Sequence, residues 1–331
     1  AIGRLLDFYR KEFGFTSDTA IRFEGDPTTL TEPLLEFLAE HGCTKISCGV
    51  QSFDDNVLRQ SGREHTAEDG LEFIARAQRV GFDWISIDLM YGLLDQTVAS
   101  VERDLAHVAS TGVTAVVCTK LHLRSYSDTR TGVAGDKAAP WQIESHRDKL
   151  TRDGHHWPTL GEQYQMREVL AGGLARHGYL EHPTMYFARK GHGSERWKSI
   201  MVDQDKQDAE VAIGLGGSSS CRRSEAMTKV NANDYIRSVE AGELPLGSAT
   251  SFGARAMESR SIKMALSTCR PVRDDIHRLR FAGQSIFDEP WSSTFADLTR
   301  RGLTKVDREA GTVALTHTGT TLVEAIMNTE F

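Results

Sequence analysis

Glu24, Asp26, Gln51 and His122 stand at or just past the ends of short apolar runs, and Asp88 sits inside one near its end. Carboxylates in that position can engage a ligand's hydroxyl or amine. Asp88 lies between Ile87 and Leu89. Burying a carboxylate there is costly unless it is hydrogen-bonded or paired. Asp88 therefore needs a partner, either a ligand or a structural one such as a backbone N–H or an arginine. Arg63, in Ser61-Gly62-Arg63-Glu64-His65, is a fork for an anion or a plain surface charge. Gly214-Leu215-Gly216-Gly217 could cradle a phosphate or an adenine, though a lone glycine turn is weak evidence. His155, His156 and His192 have no companions at metal-ligand spacing and read as solvated. The five cysteines, Cys43, Cys48, Cys118, Cys221 and Cys269, form no CxxC pair. A zinc ribbon or redox dithiol is therefore not expected. An odd count in a chain this long also argues against a secreted disulfide scaffold. Cys43 and Cys48 read as inert thiols in or beside a core strand, and a reducing cytoplasm is the expected compartment.

These residues need elements to position them. Apolar spacing predicts a helix over 2–13, a strand over 20–24, and a helix that Thr31 can cap and Gly42 stops. A strand over 45–50 follows, then a helix over 66–80, a strand over 84–89, a helix over 98–110 and a strand over 114–121. This alternation predicts an α/β fold with a parallel sheet. A closed barrel and an open sheet both remain compatible with it. In either, polar groups at the carboxyl ends of the strands are where chemistry is expected. The polar stretch 124–160 contains Arg124, Arg130, Lys137, Arg147, Lys149 and Arg152 with interleaved acids. A loop of that length is usually functional or disordered, and a substrate-facing segment is expected here. A helix over 161–177 and a strand breaking into a glycine turn over 211–220 come next. Helices over 257–266, 272–281 and 293–301, short runs at 303–306 and 312–315, and a helix over 318–327 suggest a winged helix. Residues 255–331 hold 11 Lys/Arg against 10 Asp/Glu. A DNA-reading module would be clearly basic, so a packing or lid role is expected.

The 331 residues predict about two domains. With 39% apolar and 26% charged residues, the composition is that of a globular protein. A net charge of −7 provides no general attraction to nucleic acid or anionic lipid. No run approaches the ~18 apolar residues of a membrane helix, and no signal segment opens the chain. The first residue is Ala1, with a helix already in progress, which reads as a piece of a longer chain.

Two long blocks carry a family resemblance. The first is Lys45-Ile46-Ser47-Cys48-Gly49-Val50-Gln51-Ser52-Phe53-Asp54-Asp55, with Leu58 and Gly62-Arg63-Glu64-His65. The second is Gly81-Phe82 leading into Ile85-Ser86-Ile87-Asp88-Leu89-Met90-Tyr91-Gly92-Leu93, with Gln96-Thr97. Both resemble oxygen-independent coproporphyrinogen III oxidase-like radical SAM proteins. Glu24-Gly25-Asp26-Pro27, Tyr186-Phe187-Ala188-Arg189, Gly214-Leu215-Gly216 and Leu315-Thr316 with Gly319 and Leu322 are similar to further blocks of that family. The resemblance covers nearly the whole chain.

The resemblance implies a partial (β/α) radical SAM barrel, later strands only, with a C-terminal helical, winged-helix-like domain. The implied boundaries are 1–200 for the core, 201–255 for a connecting segment completing the site, and 256–331 for the C-terminal domain. It implies S-adenosylmethionine (SAM), two molecules per chain, and a [4Fe–4S] cluster. Carried over residue by residue, Glu24, Gln51, Arg63 and Asp88 would contact SAM, with His122 and Ser220 as further contacts. Carboxylates suit SAM's sulfonium, ammonium and ribose diol, and an arginine fork suits its carboxylate. The implied partners are a small-molecule substrate and an electron donor such as flavodoxin or ferredoxin, with no nucleic acid and no membrane, for a monomer. There are departures. The family's CxxxCxxC loop is absent from this sequence, so cluster ligands are expected upstream of Ala1. Leu94 stands where many relatives have proline. Because 124–160 and the Gly-Leu-Leu loop look diverged, C-methylation or cyclopropanation of a natural-product scaffold is the first expectation for the reaction. Oxidative decarboxylation of coproporphyrinogen and non-catalytic haem carriage are the alternatives.

Overall fold

The computed structural model describes residues 1–17, 19–121, 149–181, 185–189, 210–221 and 223–331. The chain divides into two compact units, 1–194 and 195–331. The expected connecting and C-terminal parts both fall in the second.

In the first unit, helix α1 (Ile2–Phe13) precedes strand β1 (Ile21–Gly25). There follow α2 (Glu32–Glu40), β2 (Cys43–Gln51), α3 (Asp55–Gln60), α4 (Ala67–Val80), β3 (Trp84–Tyr91), α5 (Val98–Thr111) and β4 (Ala115–Lys120). Helix α6 (Leu160–Arg176) leads into β5 (Tyr179–Glu181) and β6 (Tyr186–Arg189). The sheet order is β1-β2-β3-β4-β6-β5. The first four strands are parallel, and β6 and β5 join antiparallel.

Local chemistry sets the helix ends. Thr66 and Thr97 each close a reciprocal cap at the start of α4 and α5, with Asp69 and Ser100 respectively. Gly81 and Gly112 end these helices in left-handed conformations that only glycine adopts without strain. Thr31 does precede α2, but its hydroxyl makes no cap bond. One sheet face is apolar: Ile46, Cys48, Val50, Ile85, Ile87, Leu89, Val116 and Cys118 pack with Leu35, Leu38, Phe73, Ile74, Val101 and Leu105. Strand alternation assigns Ser47, Gly49, Ser86 and Asp88 to the other face.

The second unit begins with an antiparallel sheet of β7 (Ser218–Ser220), β8 (Ser224–Thr228) and β9 (Leu246–Ser251), with α7 (Ala232–Glu240) between the last two. Helix α8 (Ala254–Ser267), β10 (Val272–Arg273), α9 (Asp274–Arg280) and α10 (Trp291–Arg300) come next. The hairpin β11 (Thr304–Asp307) and β12 (Thr312–Leu315), then α11 (His317–Thr321) and α12 (Val323–Thr329), complete it. Its own core includes Ile262, Leu266, Val272, Trp291, Phe295, Leu298, Val313 and Ile326. Helices around a small antiparallel sheet give the expected winged-helix-like pattern.

Three sequence expectations need correction. Over 211–220 the turn precedes the strand, because Thr228 Oγ1 accepts from the Gly217 N–H and donates to the Gly214 carbonyl. Val272 and Arg273 are not helical, since they pair with Val313 and Thr312. The helix expected over 318–327 is two helices that meet at Leu322.

Candidate functional site at the strand ends

The carboxyl ends of β1, β2 and β3 surround a cavity of about 390 Å³ lined by Glu24, Gly25, Asp26, Gly49, Gln51, Arg63 and Asp88. Four of the residues expected from sequence, Glu24, Gln51, Arg63 and Asp88, therefore meet at one place. His122 lies outside the described residues. Ser220 belongs to the second unit, where its backbone exchanges hydrogen bonds with Glu210.

Each lining residue has a local cause for its position. Gly25 leaves room for Leu30, whose side chain would lie 2.9 Å from a β-carbon there. Asp26 Oδ1 accepts the Thr28 N–H at 3.0 Å and the Thr28 hydroxyl at 2.8 Å. Burial pushes the Asp26 carboxyl up, but these bonds, with His65 and Arg63 nearby, outweigh it and hold the carboxyl below its ordinary range. Arg22 Nη2 donates to Glu24 Oε2 at 3.1 Å and to Ser47 Oγ at 2.9 Å, bracing the ends of β1 and β2. Arg63 follows the left-handed Gly62, and its N–H returns to the Leu58 carbonyl at 3.0 Å.

Asp88 is the residue most altered by its setting. Burial, then the neighbouring Glu24 charge, pushes its carboxyl up to about 6, while Arg22 and Arg63 oppose the rise. A buried carboxylate beside another is poised to accept a cationic or hydroxyl-bearing ligand that relieves the repulsion.

Sequence reading passed over Gly49, which lines the cavity, and His65 and Asp104, which are buried behind it against the end of β2. Only the Gly-Arg-Glu-His run hinted at His65, and nothing marked Asp104, a lone carboxylate in an amphipathic helix. His155 and His156 are not simply solvated: His155 Nδ1 is 2.8 Å from Asp95 Oδ2, and His156 Nε2 is 3.1 Å from Glu162 Oε1. His192 lies outside the described residues.

Metal-ligand sets are a separate matter. Cys43, Cys48 and Cys118 are buried, and burial pushes each of these thiols up, away from the thiolate form that binds iron. Among the described residues, no group of three His, Cys, Asp or Glu side chains is placed to hold a metal ion.

Residues 3–106 match the radical SAM superfamily model. The heme chaperone HemW of Bacillus subtilis (strain 168) is 27% identical over 193 residues, 58% of this chain and 46% of its own length. The oxygen-independent coproporphyrinogen III oxidase of Escherichia coli (strain K12) is 36% identical over 108 residues, 33% of this chain and 24% of its own. A solved structure of coproporphyrinogen III oxidase from Escherichia coli superposes with a TM-score of 0.77 at 20% identity, covering 99% of this chain and 73% of that one.

Residues 3–106 carry the radical SAM match, and the chain is similar to coproporphyrinogen oxidase-like members of that superfamily. It spans less than half the length of these two curated relatives. The shared fold runs through both units, so the mixed sheet of the first and the helical region of the second are the family's architecture. Members of the family use SAM and a [4Fe–4S] cluster. The strand-end cavity, with three carboxylates, one guanidinium and one amide, fits the charges of SAM. The described residues do not fit the cluster, because their thiols are dispersed, Cys43, Cys48 and Cys118 are buried, and no three metal-binding side chains come together. Among them, no helix is long and apolar enough to cross a membrane.

Proposed function

We propose that this chain supplies the SAM-binding strand ends of a radical SAM enzyme acting on a tetrapyrrole. The carrying observation is the cavity that gathers Glu24, Asp26, Gln51, Arg63 and Asp88. Arg63 would pair with the SAM carboxylate. Glu24 and Asp88 would face its cationic groups or ribose diol, and Gln51 would add an amide hydrogen bond. When bound and reductively cleaved, SAM supplies a hydrogen-abstracting radical to such proteins. The protein residues bind, orient and shield it. No reductive step is routed through the described residues, because they do not form the cluster site.

The tetrapyrrole reading rests on the relatives, one named for coproporphyrinogen and one for heme. C-methylation and cyclopropanation have no such support. An electron donor such as flavodoxin or ferredoxin belongs to the same reading.

The direct test is calorimetric titration of SAM into the chain, alongside a thermal melt. A charged hydrogen bond contributes about 1.5–3 kcal/mol. Asp88→Ala and Glu24→Ala should therefore lower SAM affinity roughly ten- to a hundredfold. Unchanged affinity in a destabilised Asp88→Ala protein would make Asp88 a structural carboxylate only. With a cluster-loaded enzyme, reductant, SAM and coproporphyrinogen should yield 5′-deoxyadenosine and carbon dioxide. S-adenosylhomocysteine formed with a methylated product would instead restore the methylation reading.

A further inference from the structure

Gln51 stands at a break in the sheet. β2 and β3 are in register at Cys48 and Ile87 and again at Gln51 and Leu89, so β2 carries one extra residue across that interval. Such bulges bend a strand and re-aim a side chain. Gln51 has a φ of 68°, and the Ser52 N–H donates to the Val50 carbonyl at 2.9 Å. An i to i+2 turn with positive φ is rare and strained. A non-glycine residue persists in such a state only where its surroundings over-determine it.

Two buried side chains hold the turn, one at the residue before Gln51 and one at the two residues after it. His65 is 3% exposed, and its Nε2 is 3.0 Å from the Val50 carbonyl oxygen. A carbonyl only accepts, so Nε2 carries a proton. The other ring nitrogen, Nδ1, is 3.4 Å from Asp26 Oδ2, so one ring spans the ends of β1 and β2. The residues after Gln51 are held by Asp104, from α5 and 2% exposed. Its carboxylate accepts the Ser52 hydroxyl at 3.0 Å and the Phe53 N–H at 2.7 Å. Neither His65 nor Asp104 lines the cavity, whereas Gln51 does. The Gln51 side chain lies back over Gly49, where a β-carbon would come within 2.6 Å of its Nε2.

We propose that His65 and Asp104 are positioning residues that hold the left-handed Gln51 turn and so aim its amide into the strand-end cavity. The proposal rests on the SAM reading for the identity of the ligand, but not for the clamp itself. The competing view is that both are ordinary buried polar residues, each satisfied by the backbone group nearest to it. That view predicts a loss of stability spread over the whole unit, with no special coupling to Gln51.

The experiment uses the full 331-residue chain. His65→Leu and Asp104→Leu remove the two holds, while His65→Gln and Asp104→Asn retain a donor and an acceptor. The first readout needs no ligand: hydrogen exchange at the Ser52 and Phe53 amides. The leucine variants should speed that exchange at least about tenfold, while Leu89 and Val116 in the sheet keep their protection. The second readout is SAM affinity by calorimetry. The leucine variants should lose about tenfold or more, and the conservative variants should recover most of it. In a Gln51→Ala background the same leucine substitutions should cost little more, because their effect passes through Gln51.

Unchanged exchange at Ser52 and Phe53 overturns the clamp. Losses of SAM affinity that are equal with and without the Gln51 side chain overturn its action through Gln51. If the unaltered chain binds no SAM while exchange behaves as described, the clamp stands and the SAM reading falls. Should a leucine variant fail to fold, Ser52→Ala, which removes the hydroxyl link to Asp104 together with the bond that Ser52 Oγ accepts from the Asp54 N–H, provides the same readouts.

Discussion

Asp88 ties the site to pH. Its carboxyl is raised to about 6 in the folded chain, chiefly by burial and then by Glu24, whereas an unfolded aspartate titrates near ~3.9. Between those values the folded state holds a proton that the unfolded state has lost, so stability falls as pH rises from about 4 to about 6. The span corresponds to about 3 kcal/mol at most. Asp88→Asn should therefore melt higher than the unaltered chain at pH 8, with the advantage shrinking toward pH 4. Asp104, pushed up to about 7 by burial, contributes a similar slope to both proteins and drops out of the comparison. A melting difference independent of pH would show that Asp88 ionises as freely folded as unfolded. A cationic ligand favours the ionised form, so SAM affinity should climb as pH rises through about 6. Gly49 offers a test that separates site from fold. An added β-carbon would meet the end of the Gln51 side chain, not backbone. Gly49→Ala should thus weaken SAM binding while shifting the melting point little. Equal loss of both would assign Gly49 to folding.

The elements that present these residues are those with the strongest local signals. Thr66 and Thr97 cap their helices, and Gly81 and Gly112 end them. Each helix start and stop is thus written within one turn of chain. Removing a cap of this kind costs about 1 kcal/mol, so Thr97→Ala should lower unfolding free energy by that amount in urea titration. An unchanged midpoint would mean that packing alone holds the start of α5. The contact of α5 with α6 is tighter than its caps suggest. A β-carbon at Gly173 would lie 2.4 Å from Leu105 Cδ1. Overpacking of this sort costs about 1–3 kcal/mol, and Gly173→Ala should show it in the same titration. Elements without apolar alternation escaped sequence reading. β8, Ser224–Thr228, is half-buried throughout and carries no period-two pattern. β9 is exposed along its whole length. Their pairing with one another is what makes them strands.

For the whole chain, the family's two cofactors have different standing. The residues proposed for SAM converge at one cavity, while the thiols of the described residues do not converge anywhere. A [4Fe–4S] cluster is held by cysteine thiolates. Anaerobic reconstitution of these 331 residues should therefore leave well under one cluster per chain, read as iron and sulfide content. Roughly four irons per chain, surviving gel filtration, would overturn that expectation. The pieces are also unequally visible in sequence. The expected SAM contacts Glu24, Gln51, Arg63 and Asp88 are named through the family resemblance, which carries roles residue by residue, whereas apolar runs alone locate only the polar strand ends.

Sequence by itself determined the alternation of strands and helices, the parallel order of the first four strands, and the carboxyl-end location of the polar residues. Those features follow from periodicity and local capping, which act over a few residues. Tertiary structure alone decided that burial, and then the Glu24 charge, raises the Asp88 carboxyl, because both depend on how neighbouring strands pack. It also decided the left-handed turn at Gln51, whose holders His65 and Asp104 lie 14 and 53 residues further along the chain. A strained backbone is invisible to local propensity, since the groups that stabilise it arrive only when distant segments pack.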